Sequence, residues 1–266
     1  MIIDAHTHIF PDKIAEKASA NIGDFYGIPM NLDGKTSTLL EYGDAAGIDK
    51  FLVCSVATTA HQVDSINHFI ADEVKKHPDR FIGFAALHPD SDRISEQIDE
   101  AMALGLRGIK LHPDFQEFNI DDPKALAIYE AAEGRMPILF HTGDIRTEFS
   151  KPHRLAKVLD KFPKLDVIAA HFGGWSEWDS SIEILAGRKN VYVDTCSSQY
   201  AVLPEKIVEL IHAFGIDNVF FGTDYPMWLP QDEIRMLKAL PLSEEEFEKI
   251  FHLNFENLLA KYEHLY

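Results

Sequence analysis

Short runs of β-branched and aromatic residues alternate along the chain with longer stretches in which apolar positions recur at helical spacing. Eight runs stand out: Ile2–Ala5, Phe51–Ala57, Phe81–Leu87, Gly108–Leu111, Pro137–Phe140, Asp166–Ala170, Val191–Asp194 and Asn218–Phe221. Between them the periodicity predicts helices over Asp64–Lys76, Asp92–Ala103, Pro123–Glu133, Lys151–Lys161, Trp175–Ala186 and Pro204–Ala213. Two more close the chain, Gln231–Ala239 and Ser243–Lys261. The second opens with Ser243 and has Glu246 three residues on, a capping-box signature. Eight strands each followed by a helix, in a chain of 266 residues, predict a single-domain (β/α)8 TIM barrel over residues 1–266. An open doubly wound sheet is the competing architecture. It normally carries a glycine-rich phosphate loop after the first strand, and Thr7-His8-Ile9-Phe10-Pro11 is not one.

The first connection, residues 9–50, is unusually long. Helices are expected near Asp12–Ser19 and Thr36–Ala46, around an irregular stretch from Asn21 to Gly34. Long connections in compact domains are often lids or binding loops.

Composition narrows the partners. Asp and Glu number 43 against 25 Lys and Arg, a formal charge of −18. So acidic a surface repels phosphate backbones and anionic lipid, which argues against nucleic-acid and membrane partners and leaves a small molecule. No run approaches the roughly 20 apolar residues of a membrane span. The opening residues show no basic segment followed by an apolar one, so a cytoplasmic protein is expected. Cys54 and Cys196 both sit inside apolar runs and read as buried thiols.

In a barrel of this kind the chemistry gathers at the C-terminal ends of the strands. Of 13 histidines, six fall at those ends: His6, His8, His88, His112, His141 and His171. One histidine at the edge of an apolar run is usually structural, but six converging on one rim with Asp224 are not easily so explained. His6 and His8 are two apart on a strand and therefore share a face. With His141 and Asp224 they complete an N3O set that suits zinc and also accommodates manganese, iron or cobalt. Asp4, on the same strand, either orients a ligand or makes a strand-start hydrogen bond. Lys110 shares its strand face with His112 and points inward, where an ammonium needs a partner.

The ordered set of motifs resembles the amidohydrolase superfamily, and within it the group that includes aminocarboxymuconate semialdehyde decarboxylase and the resorcylate-type decarboxylases. The motifs are Asp4-Ala5-His6-Thr7-His8, Gly108-Ile109-Lys110-Leu111-His112-Pro113, His141-Thr142-Gly143, Ala170-His171-Phe172-Gly173-Gly174 and Phe221-Gly222-Thr223-Asp224-Tyr225-Pro226, with a closing His252-Leu253-Asn254-Phe255-Glu256-Asn257. The resemblance implies one divalent metal ion held by His6, His8, His141 and Asp224. It implies His171 as general acid/base, with Asp224 both ligating the metal and taking a proton from water on it. Lys110, His112, Arg146 and Trp175 are then the expected substrate contacts, Lys110 as a charged group near a substrate carboxylate or an Asp; the alternatives are a carboxylated Lys110 bridging two metals, and His112 as a supplementary ligand or a structural residue. Phe25, Tyr26, Met30, Trp178, Met227 and Trp228 are expected around the same rim, and His88 is expected to be structural or to support the site from behind its ligands. A homodimer is implied as well.

Two chemistries fit such a ligand set. The first expectation is hydrolysis, with metal-activated water attacking an amide, ester or lactone carbonyl. The alternative is non-oxidative decarboxylation of an unsaturated or aromatic acid, and a third reading is a metal- or ligand-binding barrel without catalysis. The decarboxylase relatives tend to place arginine against substrate carboxylates, and this chain has no arginine before Arg80. That absence puts hydrolysis first, with Arg146 or Lys110 left to replace the missing cation.

Overall fold

The computed structural model describes residues 1–266. Eight parallel strands pair in chain order: β1 (Ile3–His8), β2 (Lys50–Cys54), β3 (Phe81–Ala86), β4 (Gly108–Leu111), β5 (Ile138–Phe140), β6 (Val167–Ala169), β7 (Val191–Asp194) and β8 (Val219–Phe220). The sheet closes on itself. The backbone N–H of Ala5 donates to Phe221 C=O, that of His8 to Tyr225 C=O, and that of Asp224 to His6 C=O. The expected TIM barrel is thus the observed fold.

Helices cover the outside of the cylinder, among them Ile94–Ala103, Pro152–Lys161, Trp178–Leu185 and Pro204–Phe214. Fifty-two buried residues between strands and helices form the main core. A smaller cluster fills the interior, where Phe84, Leu139, Ile168 and Phe220 meet Phe255 and Leu258 of the final helix. Gly108 makes that filling possible, because a Cβ there would lie 2.4 Å from the Phe84 ring.

The closing helix differs from expectation in one respect. Over Lys249–Leu253 it widens into a π turn between Glu244–Glu248 and Asn254–Ala260. The wide turn releases the Ile250 carbonyl, which accepts the Phe221 N–H at 2.9 Å and so fastens the helix to the end of β8. Asn254 then donates its side-chain amide to the carbonyls of Ile216 and Val219.

The first connection holds α1 (Asp12–Tyr26) and α2 (Thr36–Ala46). The α1 helix continues seven residues past the expected Ser19, through Asn21 and Gly23, and stops where Gly27 turns left-handed. Gly23 lets the returning chain pass close by: a Cβ would sit 2.8 Å from the Ile28 carbonyl and 3.1 Å from the Met30 side chain. On the other side of the barrel mouth lies α3 (Val63–Lys76). No helix is long and apolar enough to cross a membrane.

Replacing Asn254 with Ala strips two carbonyls of their donor. Asn254→Ala is expected to lower unfolding stability by about 1–3 kcal/mol in urea denaturation; an unchanged midpoint would remove Asn254 from the barrel closure.

Candidate metal centre and active site

Strand β1 contains an irregularity between Asp4 and Thr7 that includes His6, and His6 and His8 both line the cavity at the mouth. Their Nε2 atoms lie 3.2 Å apart, and Asp224 Oδ1 lies 3.7 Å from one and 3.5 Å from the other. Ligands of a tetrahedral ion with bonds near 2.0–2.1 Å sit about 3.3 Å apart. The three atoms therefore have the spacing of one coordination sphere, and two imidazoles with a carboxylate suit a divalent cation.

Asp224 reaches this place from a left-handed backbone conformation (φ 57°). The bond from its N–H to His6 C=O holds it there, and Ser197 Oγ donates to its second carboxylate oxygen at 2.5 Å. Burial alone would raise its pKa, but the neighbouring imidazoles of His6, His8 and His171 outweigh burial and hold it well below the usual carboxylate range. It is an anion at any working pH.

Asp4 does not orient a ligand directly. Its Oδ1 accepts the N–H groups of His6 and Thr223, and its Oδ2 accepts the Thr223 hydroxyl. The carboxyl group ties β1 to the chain after β8 immediately beside His6 and Asp224. Burial pushes its pKa up to about 7.

A residue the sequence reading passes over does the orienting. Asp194, fully buried at the end of β7, accepts His6 Nδ1–H at 2.9 Å and the backbone N–H of His171 at 2.8 Å. The first bond fixes the His6 proton on Nδ1 and leaves Nε2 as a lone pair aimed at His8 and Asp224. The second anchors His171, whose own φ is 60°. The seventh run carries no histidine at its end, so a search led by histidine misses it. The rule that chemistry stands at strand ends selects it directly.

Cys196 Sγ packs 3.3 Å from both His6 Nδ1 and His171 Nδ1. Its thiol donates to Asp194 Oδ1 at 3.0 Å. Both cysteines are buried and free, in line with expectation.

His171 and His141 form a relay of tautomers. The Cys196 carbonyl, 3.2 Å from His171 Nδ1, can only accept. A neutral His171 therefore carries its proton on Nδ1, and its Nε2 accepts from His141 Nδ1–H at 3.1 Å. His141 Nε2 is left as a bare lone pair, buried and without a partner, 3.7 Å from an equally unpartnered oxygen of Asp114. An unpartnered imidazole nitrogen beside a cluster that could hold a metal ion fits a further ligand, although His141 falls outside the tight His6, His8 and Asp224 grouping. Burial depresses the pKa of both histidines, so both are neutral imidazoles.

Lys110, only 1% exposed, donates from Nζ to His6 Nε2 at 2.9 Å and forms no salt bridge. An ion at His6 and the Lys110 ammonium thus compete for one lone pair. Burial, with the Lys110 charge added, lowers the His6 pKa to about 4.

His112 stacks face to face on His141, with ring centres 4.1 Å apart. Its Nδ1 accepts the Phe115 N–H, which puts its proton on Nε2, and that nitrogen donates to Tyr26 Oη at 2.9 Å. The phenolic proton of Tyr26 is consequently free to donate elsewhere. Tyr26 is the last residue of α1, so the first connection enters the site here.

The remaining expected contacts lie further out. Arg146 is bound by both oxygens of Asp144 and by Phe25 C=O, and stacks over Phe25, Tyr26 and Trp175. It does not line the cavity over the metal ligands; it clamps the aromatic end of α1. Trp175 flanks a narrow cleft beside His141, His171 and Asp224, with its indole N–H on the Tyr200 hydroxyl. Trp178 donates to His171 C=O and Trp228 to the Ser197 hydroxyl. His88 accepts the Asp90 N–H within its own turn, away from the centre.

A cavity of about 610 Å³ opens from this cluster, lined at its inner end by His6, His8, Lys110, His112, His141, His171 and Asp224.

Residues 3–260 match the amidohydrolase family model. Among solved structures, an uncharacterized TIM-barrel protein of Bordetella bronchiseptica is 22% identical with a TM-score of 0.81, over 98% of this chain and 99% of that one. A 2,6-dihydroxybenzoate decarboxylase complexed with 2,6-dihydroxybenzoate is 20% identical with a TM-score of 0.77, over 97% and 99%. A dihydroxybenzoic acid decarboxylase from a Polaromonas species, with bound manganese and the inhibitor 2-nitroresorcinol, is 18% identical with a TM-score of 0.76, over 97% and 96%. At these identities the likeness establishes the barrel.

Elemental analysis of protein purified without chelator is expected to find a divalent metal, lost in His6→Ala and Asp224→Ala. Asp194→Asn is expected to weaken retention roughly 10–100-fold by loosening His6. His171→Asn should retain most of the metal, and equal loss in His171→Asn would make His171 a ligand.

Proposed function

The chain belongs to the amidohydrolase family, and from that premise we propose that it is a metal-dependent decarboxylase of a small aromatic or unsaturated acid. The observation that carries this reading is Lys110, a buried cation at the inner end of the cavity that forms no salt bridge. A buried ammonium is costly unless an anion meets it. A substrate carboxylate would supply Lys110 with the salt-bridge partner it has in no side chain of the protein, whereas the neutral carbonyl of an ester or amide would not. The argument that puts hydrolysis first rests on missing arginines, and Lys110 answers it. Decarboxylase chemistry in two of the similar structures supports the same order.

The roles follow from the geometry. His6, His8 and Asp224 would hold the ion, with the free Nε2 of His141 as a further ligand. Zinc or manganese fits such a donor set, and manganese is bound in one of the similar decarboxylases. When bound, the ion supplies a fixed positive charge that polarises substrate oxygens. Lys110, which shares the His6 Nε2 position with such an ion, would be the cation for the substrate carboxylate. The free phenolic proton of Tyr26 and the stacked His112 position the other face of the ring.

As the bond to the carboxyl carbon breaks, its electron pair stays on the ring carbon and CO2 departs. A proton must arrive at that carbon. His171 lines the cavity and is the residue we assign to deliver it, once its Nε2, which otherwise accepts the His141 N–H, has taken up a proton from solvent. The neighbouring carboxylates Asp224 and Asp194 stabilise the imidazolium that His171 must briefly become.

A panel of hydroxybenzoates and unsaturated acids, assayed for CO2 beside esters, amides and lactones assayed for acid, tests the reading. CO2 stoichiometric with acid consumed is the expected result. Acid production without CO2 would restore hydrolysis, and inertness of the metal-loaded protein to the whole panel would favour a binding role. Lys110→Met is expected to raise KM for the acid at least tenfold, roughly the cost of losing one charged partner.

A further inference from the structure

The cavity does not end at the metal ligands. It continues outward into a gallery between α1 and α3, where Ile14, Ala18 and Ile22 on one helix face Ile66 and Phe69 on the other, with Val56 between them. The α1 residues are spaced four apart and form a single stripe of that helix. Every charged residue lining the cavity comes from the ends of β4 and β8 (Lys110, Asp114, Glu117 and Asp224), none from α1 or α3. The neutral polar residues Asn21, Thr58, Gln62 and Ser65 also line it, with Asn21, Thr58 and Ser65 at its solvent edge. Ile14 is 51% exposed and no other segment covers it.

Roughly 150 Å³ suffices to hold a benzene ring. A cavity of about 610 Å³ therefore takes a ring beside the metal ligands and leaves an apolar passage beyond it. We propose that the acid bound here carries an unbranched apolar substituent of several carbons, lying in the gallery between α1 and α3 while its carboxylate meets Lys110. The placement of the carboxylate rests on the decarboxylase reading; the gallery rests on the walls alone.

Calorimetric titration of the metal-loaded protein with 2,6-dihydroxybenzoate and its 4-alkyl homologues, methyl to hexyl, tests this. Each methylene is expected to tighten binding about fourfold over the first few carbons, the usual gain for burying a CH2 group. Ala18→Trp, which fills the gallery, should abolish that gradient; Ile66→Trp serves the same purpose should Ala18→Trp not fold. A flat series in the native protein, absence of binding, or a gradient that survives both variants overturns the proposal. The gradient without CO2 release keeps the gallery and sinks the decarboxylase reading. Release of CO2 from the parent acid without a gradient does the reverse.

Discussion

The buried carboxylate of Asp194 is the constraint on which the rest of the centre depends. One oxygen accepts the ring proton of His6, the other the backbone N–H of His171, and the thiol of Cys196 donates to it as well. A charge with no exposure is tolerable only when its hydrogen bonds are made, and here three donors make them. Through the first bond Asp194 decides which nitrogen of His6 is available to an ion. Through the second it holds a non-glycine residue in a left-handed turn, the kind of local strain that functional sites keep. Its pKa stays low: burial would raise it, but His6 and the thiol contact more than compensate.

From that anchor the protonation pattern of the whole mouth can be read. His6, His141 and His171 are driven neutral by burial, so their lone pairs are usable and their protons have assigned places. His8 is the exception: burial opposes its charge, but Cys54 and the hydrogen bond to Asp224 outweigh burial and raise its pKa to about 9. The site sets three neutral imidazoles among cationic groups and buried carboxylates, in a chain whose overall charge is −18. The global charge says little about what this pocket accepts, because the local one opposes it.

The first connection completes the chamber from outside. Tyr26 meets His112, while Arg146 fastens Phe25, Tyr26 and Trp175 together. An arginine that looked from its position like a substrate contact is thus occupied in holding the helix that forms one wall. Its guanidinium donors are directed to Asp144 and to Phe25 C=O.

The alternation of β runs and amphipathic stretches was enough to specify the barrel, because burial on both faces of a parallel sheet leaves an unmistakable mark on composition. The placing of His6, His8, Lys110, His112, His141, His171 and Asp224 at one mouth was also legible, since strand direction alone puts strand ends together. The length of α1 was not, because Gly23 reads as a helix breaker until the close passage of Ile28 and Met30 is seen. Nor was the π turn in the last helix, which exists to free one carbonyl for β8. Sequence order determined which chemical groups share the mouth. Only the packed structure decided their tautomers, their partners and the open space beyond them, because those depend on ångström-scale distances between side chains far apart in the chain.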